Sequence, residues 1–177
     1  MELSSELWFR RGVENGIRGN IDEEIKCYMK ALELDPKYAK AWKNLGSAFM
    51  IKGDLKKGLK ALSIASQLDP SDLNTWMDMG RTKYNSKDFR GAADSFKKVI
   101  EIRPGLGKAW HWLGLTLHES GREEEANKAL VEAATLYRQS GDYESAAEVE
   151  SKLATLSARS ALKGSASTRG KLRRSGA

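Results

Sequence analysis

The sequence lacks three features of many small proteins: paired cysteines, a long apolar run and a secretory signal. Its single cysteine, Cys27, has no partner for an internal disulfide, and its place beside Tyr28 in an amphipathic segment predicts a packed free thiol. No run of about 18 apolar residues is present, so we expect no membrane partner. The first residues, MELSSELWFRRG, lack the basic and apolar segments of a secretory signal. These absences predict a cytoplasmic protein.

Acidic residues are missing from one end of the chain. The 177 residues carry a formal net charge of +6, and residues 161–177 contain five cations and no acid. Subtracting that +5 leaves a net charge of only +1 for the rest of the chain. A basic nucleic-acid-binding surface is therefore not expected over residues 1–160 as a whole. The polar composition of residues 161–177 predicts a basic disordered tail.

The motifs of common enzyme sites are also lacking. Residues 105–108, Gly-Leu-Gly-Lys, are similar to a phosphate-binding loop, but Ile102 and Ala109 stand where that motif needs Gly and Ser or Thr. His111 and His118 are seven residues apart on one predicted helix. Their backbones are then about 10 Å apart along the axis, too far for one zinc ion. We expect a protein that is not an enzyme, with no catalytic residue, metal or cofactor.

What the sequence does contain is a pattern that returns every 34 residues. Tryptophan, glycine and proline share this interval, at Trp8, Trp42, Trp76 and Trp110, at Gly12, Gly46, Gly80 and Gly114, and at Pro36, Pro70 and Pro104. Repeats of this length are typical of stacked helical units, each of which packs against its neighbours.

Hydrophobic spacing inside the second copy predicts two amphipathic helices, residues 39–51 and 55–68. Gly53 can end the first helix, and Asp54 can cap the second. Gly46 lies in mid-helix, where glycine costs about 1 kcal/mol relative to alanine. Its recurrence predicts that the second helix of the pair approaches too closely for a side chain. Acidic triplets begin the second helices of the first and fourth copies and suit the helix dipole, at Asp22, Glu23 and Glu24 and at Glu123, Glu124 and Glu125.

The residues of the second copy that follow one known consensus are Trp42, Leu45, Gly46, Phe49, Gly58, Leu62 and Pro70. They resemble the tetratricopeptide repeat, in which W-x2-L-G-x2-Y is followed by A-x3-F and P. The first copy departs at Arg11, Asn15 and Glu24, as an atypical terminal repeat does, and the fourth has Arg138 in place of proline. The resemblance covers most of the chain. It implies an all-α fold, a right-handed α-solenoid of antiparallel helix pairs with repeats at 5–38, 39–72, 73–106 and 107–140.

A further helix is predicted after the fourth repeat. Asp142 can cap it, and one side of it carries Ala146, Val149, Leu153 and Leu156. We interpret it as a capping helix of about residues 142–159 that completes an array over residues 1–160. Residues 141–143 echo the start of a repeat's second helix, and Tyr137 would suit the first helix of a truncated fifth repeat.

One face of each first helix remains for a ligand, and the 34-residue step traces it through the chain. In tetratricopeptide arrays the corresponding residues line a concave groove that holds peptides. The residues of this first-helix stripe that we predict as a binding site are Phe9, Arg10, Val13, Lys40, Lys43, Asn44, Ser47, Asn74, Met77, Asp78, Arg81, Lys108, His111, Trp112 and Leu115. Glu6 also lies on the stripe, where cations and apolar anchors outnumber the acids.

Trp112 is the one tryptophan that the repeat does not require. Two interpretations of it stay open: an aromatic anchor for a ligand, or a residue that packs against the capping helix.

The function that follows is a protein-protein interaction scaffold or adaptor, which binds an acidic segment with apolar anchors. The alternative is binding of nucleic acid or an anionic surface through residues 161–177. One subgroup of the family grips chaperone tails with a clamp of Lys, Asn, Asn, Lys and Arg. The corresponding residues here are Phe9, Val13, Asn44, Asn74 and Asp78, or one repeat later Lys43, Ser47, Asp78, Lys108 and Trp112, so we predict no such carboxylate clamp.

Overall fold

The computed structural model describes residues 4–156, and within them the chain forms helices and no strand. The predicted all-α helical-repeat class is confirmed. The nine helices of the described residues are α1 Ser5–Ile17, α2 Ile21–Leu34, α3 Ala39–Ile51, α4 Leu55–Leu68, α5 Leu73–Asn85, α6 Phe89–Ile102, α7 Gly107–Glu119, α8 Glu123–Gln139 and α9, helical from 143 to 156.

The turns inside the helix pairs are built as the residues predict. Gly53 has φ +87°, a left-handed conformation that ends α3, and the Asp54 carboxylate accepts a hydrogen bond of 3.1 Å from the Lys57 backbone N–H at the start of α4. Lys87 occupies the same place in the third repeat with φ 64°. A left-handed residue therefore ends the first helix even where glycine is absent.

The helices of a pair approach each other most closely at the recurring mid-helix glycine. A Cβ atom on Gly80 would lie 2.5 Å from Cε1 of Phe96, and one on Gly46 would lie 2.7 Å from Cγ of Leu62. Real Cβ atoms are not found so close to other carbons. The prediction that a side chain does not fit between the paired helices is confirmed.

The chain forms two compact units, of which the first ends at Pro104 and the second begins at Gly105. In the first unit, Tyr28, Leu62 and Phe96 are fully buried, one from the second helix of each repeat. In the second unit, α9 packs against α8 through Val149 and Leu156.

The remaining predictions concern single residues and segments. Cys27 is buried, and burial raises the pKa of its thiol, which accepts a long contact of 3.9 Å from Asn15 Nδ2. Of the helices in residues 4–156, none combines the length and apolar character that a membrane crossing needs. The predicted basic tail, residues 161–177, and the predicted last residues of the capping helix lie outside the described residues.

Candidate functional site

Several residues of the first-helix stripe help to hold the first unit together. Phe9 is half-buried and packs its ring against Tyr28 and Tyr38, at centroid distances of 5.6 and 5.0 Å. Asn44 Nδ2 donates a hydrogen bond of 3.3 Å to the Tyr28 hydroxyl, which links α3 to α2. Val13 packs against the same core. These side chains have structural partners within the chain.

Most cations of the stripe in the first unit are paired with acids of the same chain. Arg10 lies 2.7 Å from Glu6. Lys43 Nζ lies 3.6 Å from Asp72, and both of these side chains are about three-quarters buried. An electrostatic partner within the protein reduces what these cations offer to a ligand.

The third repeat adds one more polar connection and one buried residue. Asp78 accepts a hydrogen bond of 2.9 Å from the Ser47 hydroxyl and lies 4.0 Å from Arg81. Met77 is only 8% exposed, so it offers little surface to a partner. Asn74 and, in the second repeat, Lys40 are exposed, and Lys40 has no ion pair among residues 4–156.

In the second unit the structure brings four stripe residues together in one open pocket of about 540 Å³. Helix α7 provides one side of it, and α8, the α8–α9 turn and α9 provide the other. The nine residues that line this α9 pocket are Lys108, His111, Trp112, Leu115, Tyr137, Asp142, Ser145, Glu148 and Lys152.

The far wall of the α9 pocket exists because α9 folds back onto α8. Asp142 caps α9 by accepting a hydrogen bond of 3.1 Å from the Ser145 backbone N–H, and Ala146 and Val149 are buried on the α8 side. An ion pair of 2.7 Å joins Arg138 to Glu150. The residues that face away from this core on α9 then include Glu148 and Lys152, which reach the pocket.

Five lining residues were not predicted as a site: Tyr137, Asp142, Ser145, Glu148 and Lys152. Two signals in the sequence pointed toward them. Tyr137 fits the first helix of a truncated fifth repeat, and residues 141–143 echo the start of a repeat's second helix. Extending the repeat pattern by one helix pair would have placed α9 opposite the stripe.

His111 lines the pocket in a half-buried position. Its ring lies edge-on to Tyr137, with centroids 6.3 Å apart and planes at 87°. Burial lowers the pKa of His111; Glu148 opposes this shift, and Lys152 adds to it. The pKa of Tyr137 is raised, chiefly by burial and further by Asp142 and Glu148. The free pocket therefore favours a neutral imidazole.

The charged side chains of the α9 pocket differ from those of the first unit in their pairing. Within the described part of the chain, Lys108, Glu148 and Lys152 form no ion pair. Trp112 lies among them, half-buried, in the wall that faces α9. Trp112 is therefore accessible from the pocket, and its role as a ligand anchor stays a prediction.

The second histidine, His118, lies elsewhere in the second unit. His118 Nδ1 lies 2.8 Å from a carboxylate oxygen of Glu123, at the turn between α7 and α8. It does not line the α9 pocket.

Models of one family match most of the helical region. A "TPR repeat" model matches residues 17–53, and a "Tetratricopeptide repeat" model matches residues 73–105 and 107–139. An uncharacterized protein of Methanocaldococcus jannaschii is 38% identical over 40 residues, which are 23% of this chain and 46% of that protein. The match thus spans about half of the relative's length.

Solved structures with the same fold include MamA and a peptide-binding domain. A crystal structure of MamA has a TM-score of 0.68 at 20% identity, covering 85% of this chain and 96% of that one. MamA from Desulfovibrio magneticus RS-1 gives 0.71 at 17%, with 90% and 98% covered. The first TPR of Spaghetti (RPAP3), bound to the HSP90 peptide SRMEEVD, gives 0.65 at 19%, with 67% and 94% covered. At these identities the likeness establishes the fold.

Proposed function

Because this chain belongs to the tetratricopeptide repeat family, whose members generally bind other proteins, we propose that it is a non-enzymatic protein-protein interaction scaffold. The observation that carries the proposal is the α9 pocket, in which four predicted stripe residues line one cavity. One protein of the same fold, the first TPR of Spaghetti, is bound to a peptide. We propose that a segment of a partner protein binds the stripe residues of α7 and enters this pocket.

The chemistry of the pocket favours an acidic segment with apolar anchors. Trp112 and Leu115 supply an apolar surface, and tryptophan is enriched among the residues that dominate binding energies. Lys108 and Lys152 lie beside this surface without an ion pair in the described region. A partner that brings an acid next to a large apolar side chain satisfies both features.

A charge-reversal test needs a stripe cation that is not already paired with an acid of the same chain. Lys43 and Arg81 already lie near Asp72 and Asp78, so charge reversal there would disturb the fold as well as any ligand. Lys108 is exposed and unpaired within residues 4–156, and Lys128 on α8 is a matched control because it is also exposed and unpaired there but does not line the pocket.

The test is a pull-down from native cytosol with mass spectrometry, using the intact chain, Lys108→Glu and Lys128→Glu as baits. We expect one or more partners to be lost with Lys108→Glu and kept with Lys128→Glu, while circular dichroism shows both variants folded. Equal partner sets for the two variants would refute the assignment of this site. A bait that lacks residues 161–177 tests the tail separately, since loss of nucleic acid with that bait alone would favour the alternative function.

The proposal also includes what the stripe does not bind. The first-repeat clamp positions hold Phe9 and Val13, which pack into the core, and Asp78, which would repel a terminal carboxylate. We therefore predict no tight binding of peptides that end in EEVD. Acidic segments inside a partner's chain, which lack a terminal carboxylate, remain suitable ligands for the α9 pocket.

A further inference from the structure

Each element that lines the α9 pocket with His111 contributes a titratable side chain to it. On its own helix, Lys108 lies one turn away and lines the same pocket. Helix α8 contributes Tyr137, the α8–α9 turn contributes Asp142, and α9 contributes Glu148 and Lys152. Asp142 is engaged as the cap of α9. This leaves an imidazole and two ammonium groups around the cavity, with Glu148 as the one carboxylate that is not used in a cap.

We propose that the α9 pocket is a proton-linked carboxylate site, in which an acidic side chain of the partner lies beside His111, Lys108 and Lys152 and its apolar neighbour packs on Trp112 and Leu115. Binding then strengthens as the solution becomes more acidic. This inference rests on the proposed function, because it names the chemistry and the regulation of the same site.

The proton linkage follows from the change of environment on binding. In the free protein, burial and Lys152 disfavour the imidazolium, and only Glu148 favours it. An opposite charge within about 4–6 Å shifts a pKa by roughly 1–3 units toward the charged form. A bound carboxylate therefore raises the pKa of His111, and the complex takes up a proton. Wherever the two pKa values bracket the solution pH, each pH unit changes the affinity by at most about tenfold.

Charge complementarity distinguishes the partner from the chain's own C-terminal segment. Residues 157–177 follow α9 directly and contain no aspartate or glutamate. They therefore offer no acidic side chain that could lie beside His111, Lys108 and Lys152. The occupant that we propose is therefore another protein's acidic segment.

The test uses phenylacetate as a minimal probe, since it joins one carboxylate to one apolar ring, and phenylacetamide as its uncharged counterpart. Binding to the full-length protein is followed by NMR shifts of pocket amides and of the His111 ring. Between about pH 8 and about pH 6 phenylacetate stays ionised, so a change in its affinity reports a titration in the protein.

We expect phenylacetate to bind about tenfold more tightly at the lower pH, with a raised His111 midpoint in the complex, and phenylacetamide to show no pH dependence. His111→Gln should abolish the dependence, whereas His118→Gln should retain it. The proposal is overturned if phenylacetate shifts no pocket amide, if its affinity is equal at the two pH values, or if the amide binds as well. In each of these cases a pull-down that depends on Lys108 would still support the scaffold function.

Discussion

At the scale of single residues, Glu24 is the clearest departure from the repeat pattern. It stands where the pattern has alanine, is only 8% exposed, and has an Oε2 atom without a hydrogen-bond partner in the described part of the chain. Burial raises the pKa of its carboxyl group, and a hydrogen bond from Tyr28 opposes the shift. The charged form of Glu24 therefore costs stability at neutral pH.

The change Glu24→Gln keeps the shape of the side chain and removes this charge. The stability that the Glu24 carboxyl contributes is fully present below its ordinary pKa of 4.5 and is lost as pH rises through the raised pKa of the folded state. We expect the variant to have a free energy of unfolding about 1 kcal/mol higher than the native protein at pH 7, with no gain at about pH 4. Urea unfolding at the two pH values measures both.

A gain of the same size at both pH values would contradict this explanation, because the effect would then be independent of the charge. The sequence predicted Glu24 as part of an acidic helix start and as a mismatch of the first repeat. Its burial could not be predicted from the helix dipole alone, since that depends on how closely α1 packs against α2 at Gly16.

At the scale of helices, much of the structure could be predicted from the sequence. The predicted bounds 39–51 and 55–68 coincide with α3 and α4, because hydrophobic spacing, Gly53 and Asp54 all act locally along the chain. Contacts between side chains of different helices could not be predicted in this way. The pairing of Lys43 with Asp72 joins residues 29 positions apart and depends on how α3 lies beside the start of α5.

Because of that ion pair, we expect charge reversal at two neighbouring lysines of α3 to have different effects on stability. Asp72 caps α5, accepting hydrogen bonds of 3.2 Å from the Asn74 backbone N–H and 2.7 Å from the Thr75 hydroxyl. Lys43→Glu would place a second carboxylate beside this cap. We expect it to lower the free energy of unfolding by about 1–2 kcal/mol, and Lys40→Glu, on an exposed position, to change it by less than about 0.5 kcal/mol.

Urea unfolding of the two variants in low salt compares them directly. Added salt should reduce the difference, since a repulsion between partly buried carboxylates is partly screened. Equal stabilities for Lys40→Glu and Lys43→Glu would show that the contact with Asp72 contributes nothing to the fold.

At the scale of the whole molecule, the two compact units use their charges differently. In the unit that ends at Pro104, Arg10 and Lys43 are paired with acids of the same chain. In the unit that begins at Gly105, Lys108 and Lys152 line a pocket without such pairs among the described residues. For this reason we propose that a partner binds the second unit.

Sequence periodicity predicted the α7 residues that line the α9 pocket but not the residues that line its other side. The α7 side, including Trp112, follows from the 34-residue step, because the stripe is a translation of one pattern along the chain. The α9 side does not, because the last helix pair lacks the tryptophan and glycine that mark a repeat. What places Glu148 in the pocket is the burial of Val149 beside it, which is a property of the packed α8 and α9.

The central claim is that a partner protein's segment occupies the α9 pocket, and photo-crosslinking in native cytosol tests it most directly. A benzophenone amino acid replaces Leu115 inside the pocket or, as the control, Val131, which is 55% exposed on α8 and outside the pocket lining. We predict that the Leu115 probe alone crosslinks a partner, within a segment that carries an acid next to a large apolar residue. Equal crosslinking from Val131, or none from Leu115, would contradict the account.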